Sequence, residues 1–169
     1  MNIYGMQTLY KKEITRFLKV YNQTLLAPMI NSLLLLAVFS LALSERIGDI
    51  QGISLQKFLV PGLIMMTIVQ NAFANTSSTL TFGKVLGIII DMLIPPLSPR
   101  DITIAIAFGG MTRGIISGLV VAIAVTVTGF IIDPDLIIEI HNFPLMIFYI
   151  IFASMMLSLI GMVAGIYSN

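Results

Sequence analysis

The stretch Phe58–Gly83 reads FLVPGLIMMTIVQNAFANTSSTLTFG and holds no Lys, Arg, Asp or Glu. Crossing the apolar slab of a bilayer takes roughly 20 helical residues. A charge buried there costs on the order of a few kcal/mol, so charge-free runs of this length mark a membrane as the solvent. Val20–Ser44 and Ile140–Asn169 are free of these four residue types in the same way, and Gly114–Ile132 is just long enough to join them. A water-soluble chain would interrupt such runs with polar faces. The pattern predicts an all-α membrane protein, a polytopic bundle of transmembrane helices.

Composition agrees. The chain is 57% hydrophobic and 10% charged, against about 25% charged in ordinary soluble domains. Its 169 residues make one membrane domain. A net charge of +1 gives no reason to expect nucleic acid as a partner. The absence of cysteine rules out disulfides, thiolate metal sites and cysteine nucleophiles. Ala42-Leu43-Ser44 has the small residues of a signal-peptide cleavage site. The apolar run before it is far longer than the roughly 7–15 residues of a signal-peptide core, so it reads as a span.

Residues 1–21 differ in character from the rest of the chain. Ile3, Met6, Tyr10, Ile14, Phe17 and Tyr21 recur at spacings of three and four, while Lys11, Lys12, Glu13, Arg16 and Lys19 fall largely off that stripe. A basic amphipathic helix beside a span lies in the headgroup plane with its apolar face down. The bland alternative is that its cations only orient the first span. Spans are expected at 24–43, 58–77, 114–132 and 143–165. Between the second and third, residues 80–100 carry Lys84 and Asp91 and end in Pro95-Pro96-Leu97-Ser98-Pro99. Those prolines stop a helix, so this segment predicts a short surface helix from about Thr81 to Ile94. The third helix then enters from about Ile102, with Arg113 at the membrane boundary. Ser44–Gln56, with Gly48 and Gly52, and the acidic Asp133–Asn142 read as loops on the opposite side.

Charge sets the expected orientation. With the N-terminus in the cytoplasm, Lys11, Lys12, Arg16, Lys19, Lys84, Arg100 and Arg113 lie inside and only Arg46 and Lys57 outside. The positive-inside rule prefers this arrangement.

No catalytic constellation is visible. The one histidine, His141, has no second histidine with which to hold a metal. A phosphate-binding loop needs G-x-x-x-x-G-K-[ST], whereas Gly83-Lys84 is followed by Val85 and lacks the earlier glycine. Ion-coupled carriers place ionisable groups near the bilayer midplane, and this placement puts none there. Asn71, Asn75 and Ser78 share one helix face, which can line a conduit or hydrogen-bond a neighbouring helix. Gly110, Gly114 and Gly118 form consecutive G-x-x-x-G steps, as do Gly161 and Gly165, and such faces let helices approach closely.

The order of these parts resembles one family. Phe58-Leu59-Val60-Pro61-Gly62-Leu63, Asn71-Ala72-Phe73-Ala74-Asn75, Gly83-Lys84 and Pro96-Leu97-Ser98-Pro99 occur in the order found in ABC-2 type permeases. Lys12-Glu13-Ile14-Thr15-Arg16-Phe17 and Gly109-Gly110-Met111-Thr112-Arg113-Gly114 look like the same family. The resemblance implies the membrane subunit of an ATP-driven exporter in a bacterial inner membrane. It implies a homodimer seated on ATP-binding subunits that hold the ATP and magnesium, with no cofactor on this chain. It also implies that the segment between spans two and three is a coupling helix, with Gly83, Lys84, Gly87 and Asp91 on it and Pro96 and Pro99 fixing its exit. The family has six spans, so a four-span chain corresponds to its first two thirds, a fragment or a truncated product. The apolar run Val85-Leu86-Gly87-Ile88-Ile89-Ile90 departs from the more charged coupling segment usual there. Two other classes compete: a membrane anchor or assembly subunit with no conduit, and a secondary carrier.

Overall fold

The structure, a computed structural model, describes residues 2–47, 54–131 and 142–168. The described residues form helices joined by short links. Among them, four helices are long and apolar enough to cross a membrane: Asn22–Phe39, Lys57–Val85, Pro99–Ile131 and Phe143–Tyr167. Gly48, Gly52, Asp133, Pro134, Asp135, Glu139 and His141, all in the expected loops, lie outside the described residues.

Helix α1 (Ile3–Lys19) starts at an Asn2 cap whose side chain accepts from the Gly5 N–H at 3.1 Å. The chain then passes through one π-helical turn, Asn22–Leu26, into α2 (Ala27–Ile47). Pro28 has no N–H to give the Thr24 carbonyl one turn earlier. Ser117 Oγ, from a different helix, donates to that carbonyl at 3.2 Å. The Thr24 hydroxyl meanwhile donates to the Phe17 and Val20 carbonyls at the end of α1.

Helix α3 (Leu55–Val85) runs well past the expected end at residue 77. Hydroxyls along the polar run reach carbonyls one turn back in the same helix, and Thr76 and Thr79 also reach α6 and α1. Thr76 and Ser77 bond the Phe73 carbonyl at 3.1 and 3.0 Å, and Ser78 and Thr79 bond the Asn75 carbonyl at 3.0 and 2.8 Å. The expected surface helix at 81–94 is correspondingly divided. Its first part belongs to α3, Gly87 turns the chain at φ 71°, and only Ile89–Leu93 forms the short α4.

Helix α5 (Pro99–Ile131) is unbroken, so the expected entry at Ile102 lies inside it. Its start is a capping box. The Asp101 N–H donates to Ser98 Oγ at 3.2 Å, the Ser98 N–H donates to Asp101 Oδ2 at 3.3 Å, and Pro99 opens the helix. Helix α6 (Phe143–Tyr167) begins at Asn142, which accepts from the Leu145 N–H.

Helix α3 is central, with α5 and α6 on it through glycine faces. A Cβ on Gly114 would lie 2.5 Å from the Ile68 carbonyl, and one on Gly118 would overlap the Ile68 side chain. One on Gly161 would lie 2.5 Å from the Phe73 carbonyl, and one on Gly165 3.0 Å from that of Ser77. Both glycine faces are thus filled by this chain's own α3. Two apolar clusters result: Leu9, Leu80, Ala105, Ile106 and Met162 near α4, and Leu36, Val60, Val121 and Val125 toward the other end. Between them lies a polar layer.

Candidate functional site: a buried charge layer between α1, α3 and α5

The packed face of α1 is shifted from the expected one: Phe17, Met6 and Tyr10 of the expected stripe pack inward, whereas Ile3 and Tyr21 are exposed. Leu9, Glu13 and Phe17, four residues apart, are its buried side chains, and Glu13 is 0% exposed. The helix does not simply rest an apolar face on a surface; it turns a carboxylate into the bundle. Lys11, Lys12 and Lys19 remain exposed, so the basic face is solvated as its composition suggests.

Glu13 Oε2 accepts from Arg16 Nη2 at 3.0 Å, Thr79 Oγ1 at 2.8 Å and Asn75 Nδ2 at 3.3 Å. Arg16 Nη2 also reaches the Asn75 carbonyl and Oδ1, both at 3.0 Å, and Thr79 Oγ1. One guanidinium therefore ties α1 to backbone and side chain of α3 at once. Gly109 of α5 admits this approach, because a Cβ there would stand 2.8 Å from the Glu13 Cβ.

A second guanidinium lies nearby. Arg113 of α5 reaches Asn71 Oδ1 at 3.5 Å and feels the charges of both Arg16 and Glu13. Arg16 pairs with Glu13 and Arg113 stands near both, so the layer holds two guanidinium groups to one carboxylate. Buried ion pairs of this kind are retained where they fix an arrangement rather than where they add stability. Among the described atoms, Glu13 Oε1 and the Nε of both arginines have no hydrogen-bond partner.

The structure scatters the expected site residues. Asn75 is fully buried against α1, Asn71 faces Arg113, and half-buried Ser78 bonds only within its own helix. A Cβ on Gly110 would lie 2.9 Å from the Ala72 carbonyl and overlap Ser158 Oγ. The residues expected on a docking helix are spread over three elements. Gly83 and Lys84 end α3, Gly87 is the turn, and exposed Asp91 is on α4. Pro96 lies in the exposed link and Pro99 opens α5. Lys84 Nζ donates to the Ile166 carbonyl and, at 3.0 Å, to that of Ser168, closing the C-terminal end of α6. At the same end of the bundle the Asn2 N–H donates to Asp101 Oδ2 at 3.2 Å, joining the start of α1 to the start of α5.

Sequence reasoning missed Glu13, Arg16, Thr79 and Gly109 as a group. The available signal was the four-residue spacing of Glu13 with Leu9 and Phe17, together with the Gly109-Gly110 pair.

Against known protein families, the ABC-2 type transporter family matches residues 4–169. The chain belongs to that family. This ABC-2 chain is similar to the inner membrane transport permease YadH of Escherichia coli K12, 32% identical over 171 residues that take in 100% of this chain and 64% of that protein. The YadH of Shigella flexneri matches with the same identity and coverage. The chain therefore spans 64% of the length of the curated relatives it matches. No solved structure matches it.

Proposed function

We propose that this chain is the membrane-spanning part of an ABC-type exporter in a bacterial inner membrane, with its N-terminus cytoplasmic. ATP and magnesium belong to a separate ATP-binding subunit, and the permease works as a homodimer. One observation carries the reading beyond family membership. From the α4 end of the bundle inward to the polar layer, α1, the α3–α4–α5 connection and α6 are cross-linked to one another. The links are Asn2 to Asp101, Lys84 to the end of α6, and Glu13 with Arg16 to Asn75 and Thr79. A push on α4 or α1 is then delivered to three spans together, which is what a rigid-body coupling element needs. Gly83, Lys84, Gly87, Asp91, Pro96 and Pro99 all lie in or beside that connection. Neither an anchor without a conduit nor a carrier driven by an ion gradient has use for such a transmission point.

The test is association. Full-length protein purified from membranes in mild detergent should bring an ATP-binding subunit with it, and ATP hydrolysis by that subunit should rise when both are reconstituted. Purification without any such subunit, with uptake or efflux following an ion gradient instead, would contradict the reading.

A further inference from the structure

Helices α2 and α3 part on one side to leave a cleft of about 300 Å³. Besides Asn71 in its floor, three carboxamides line it: Gln23 and Asn31 from α2's side and Gln70 from α3. All three are exposed, and none makes a side-chain hydrogen bond with any described residue. The floor, by contrast, is already satisfied. Ser32 Oγ and Thr67 Oγ1 pair at 3.1 Å, Asn71 Nδ2 donates to the Thr67 carbonyl at 3.0 Å, and Asn71 Oδ1 takes Arg113.

Depth gives these groups meaning. Gln70 is the middle residue of α3, the helix Leu55–Val85, which is long and apolar enough to span. Asn31 lies beside the Ser32–Thr67 pair at a similar level. Leaving an amide unpaired in hydrocarbon costs roughly 2–7 kcal/mol. Gln70 and Asn31 at that depth are poorly matched to lipid tails, and water, a ligand or further protein would satisfy them. Among the described residues, no Lys, Arg, Asp or Glu lines it. Each carboxamide offers a donor and an acceptor, which suits a hydroxyl in either sense. An anion would call for Arg or Lys, and a cation for a carboxylate or an aromatic face.

We propose that this cleft binds the neutral, hydroxyl-rich headgroup of an amphiphile, its tail lying along Leu35 and Leu63. Calling that ligand the cargo rests on the permease reading; its binding does not.

These 169 residues hold no cysteine, and any cysteine elsewhere in the full-length protein is first replaced by serine. Full-length Gln23→Cys, Asn31→Cys and Gln70→Cys proteins in membranes would be treated with a water-soluble methanethiosulfonate. Leu34→Cys and Val38→Cys, each 59% exposed on the apolar side of α2, serve as controls. The cleft positions should react at least tenfold faster than the controls. Octyl glucoside below its solubilising concentration should slow Gln70→Cys several-fold, while octyl phosphate and octyltrimethylammonium should not. Three positions allow for one variant that fails to insert. Cleft positions as slow as the controls would mean that protein or lipid seals the cleft, and the proposal fails. Equal protection by all three amphiphiles, or stronger protection by a charged one, overturns the assigned chemistry. Failure to find an ATP-binding partner would sink the permease reading and leave this labelling result standing.

Discussion

The hydroxyl of Thr79 on α3 donates to the buried Glu13 carboxylate of α1 at 2.8 Å, joining positions 66 residues apart. It also accepts from Arg16, so one small side chain bridges both members of an ion pair. This contact makes the amphipathic N-terminal helix part of the bundle.

Removing one partner of that pair should be costly. Glu13→Ala leaves Arg16 without its carboxylate; breaking a fully buried pair costs about 3–5 kcal/mol, and the one-third exposure of Arg16 lowers that. The expected outcome is a large drop in thermal stability in detergent, and Arg16→Ala should lose a comparable amount. The double variant Glu13→Ala/Arg16→Ala should be less destabilised than the sum of the two. Strict additivity in that cycle would show that the pair is not coupled.

Glycine substitutions should divide by what their Cβ meets. Gly114→Ala drives a methyl group against the Ile68 carbonyl, and Gly109→Ala drives one against Glu13. Overpacking of this kind costs about 1–3 kcal/mol. Gly62, also in a helix, has nothing within 4 Å of that position. Gly62→Ala should therefore be neutral or stabilise by up to about 1 kcal/mol through helix propensity. Thermal unfolding of the three variants side by side checks the order.

Ser117→Ala should loosen the join between α1 and α2. It removes the donor to the Thr24 carbonyl that Pro28 cannot serve. Interhelical hydrogen bonds in membranes average about 0.6 kcal/mol, so the stability loss is small. Hydrogen exchange at residues 24–30 should nonetheless quicken more than at α6.

Lys84→Ala should act locally as well. Without its ammonium the last carbonyls of α6 lose a cation at a helix C-terminus, an interaction of about 0.3–1 kcal/mol. Exchange protection should fall at the end of α6, near Ile166–Ser168, and stay unchanged near Phe143. Uniform loss across α6 would contradict a capping role.

The sequence made the four spans legible because a bilayer punishes charge over a length that a chain must cross in one piece. Helix ends were harder to read. In α3 the hydroxyls of Ser77 and Ser78 reach back to their own helix and those of Thr76 and Thr79 also reach α6 and α1, so the polar run did not end the helix. The glycine steps at Gly110, Gly114 and Gly118 were visible, but not that α3 fills them, since spacing names a close approach and not its partner. Glu13 was least legible. On an amphipathic helix a carboxylate reads as solvated, and its acceptor role depends on Asn75 and Thr79, which only folding brings near.

The most direct measurement tracks ATP hydrolysis and export together in vesicles holding full-length protein and its ATP-binding subunit. Gly87 turns the chain at φ 71° and Asp91 stands exposed on α4, and neither belongs to the buried layer. Gly87→Val and Asp91→Ala should insert and bind the subunit as the parent does, while hydrolysis continues and export falls at least tenfold. Full export in both variants would contradict the α3–α4–α5 connection as the point where ATP-driven motion enters the membrane.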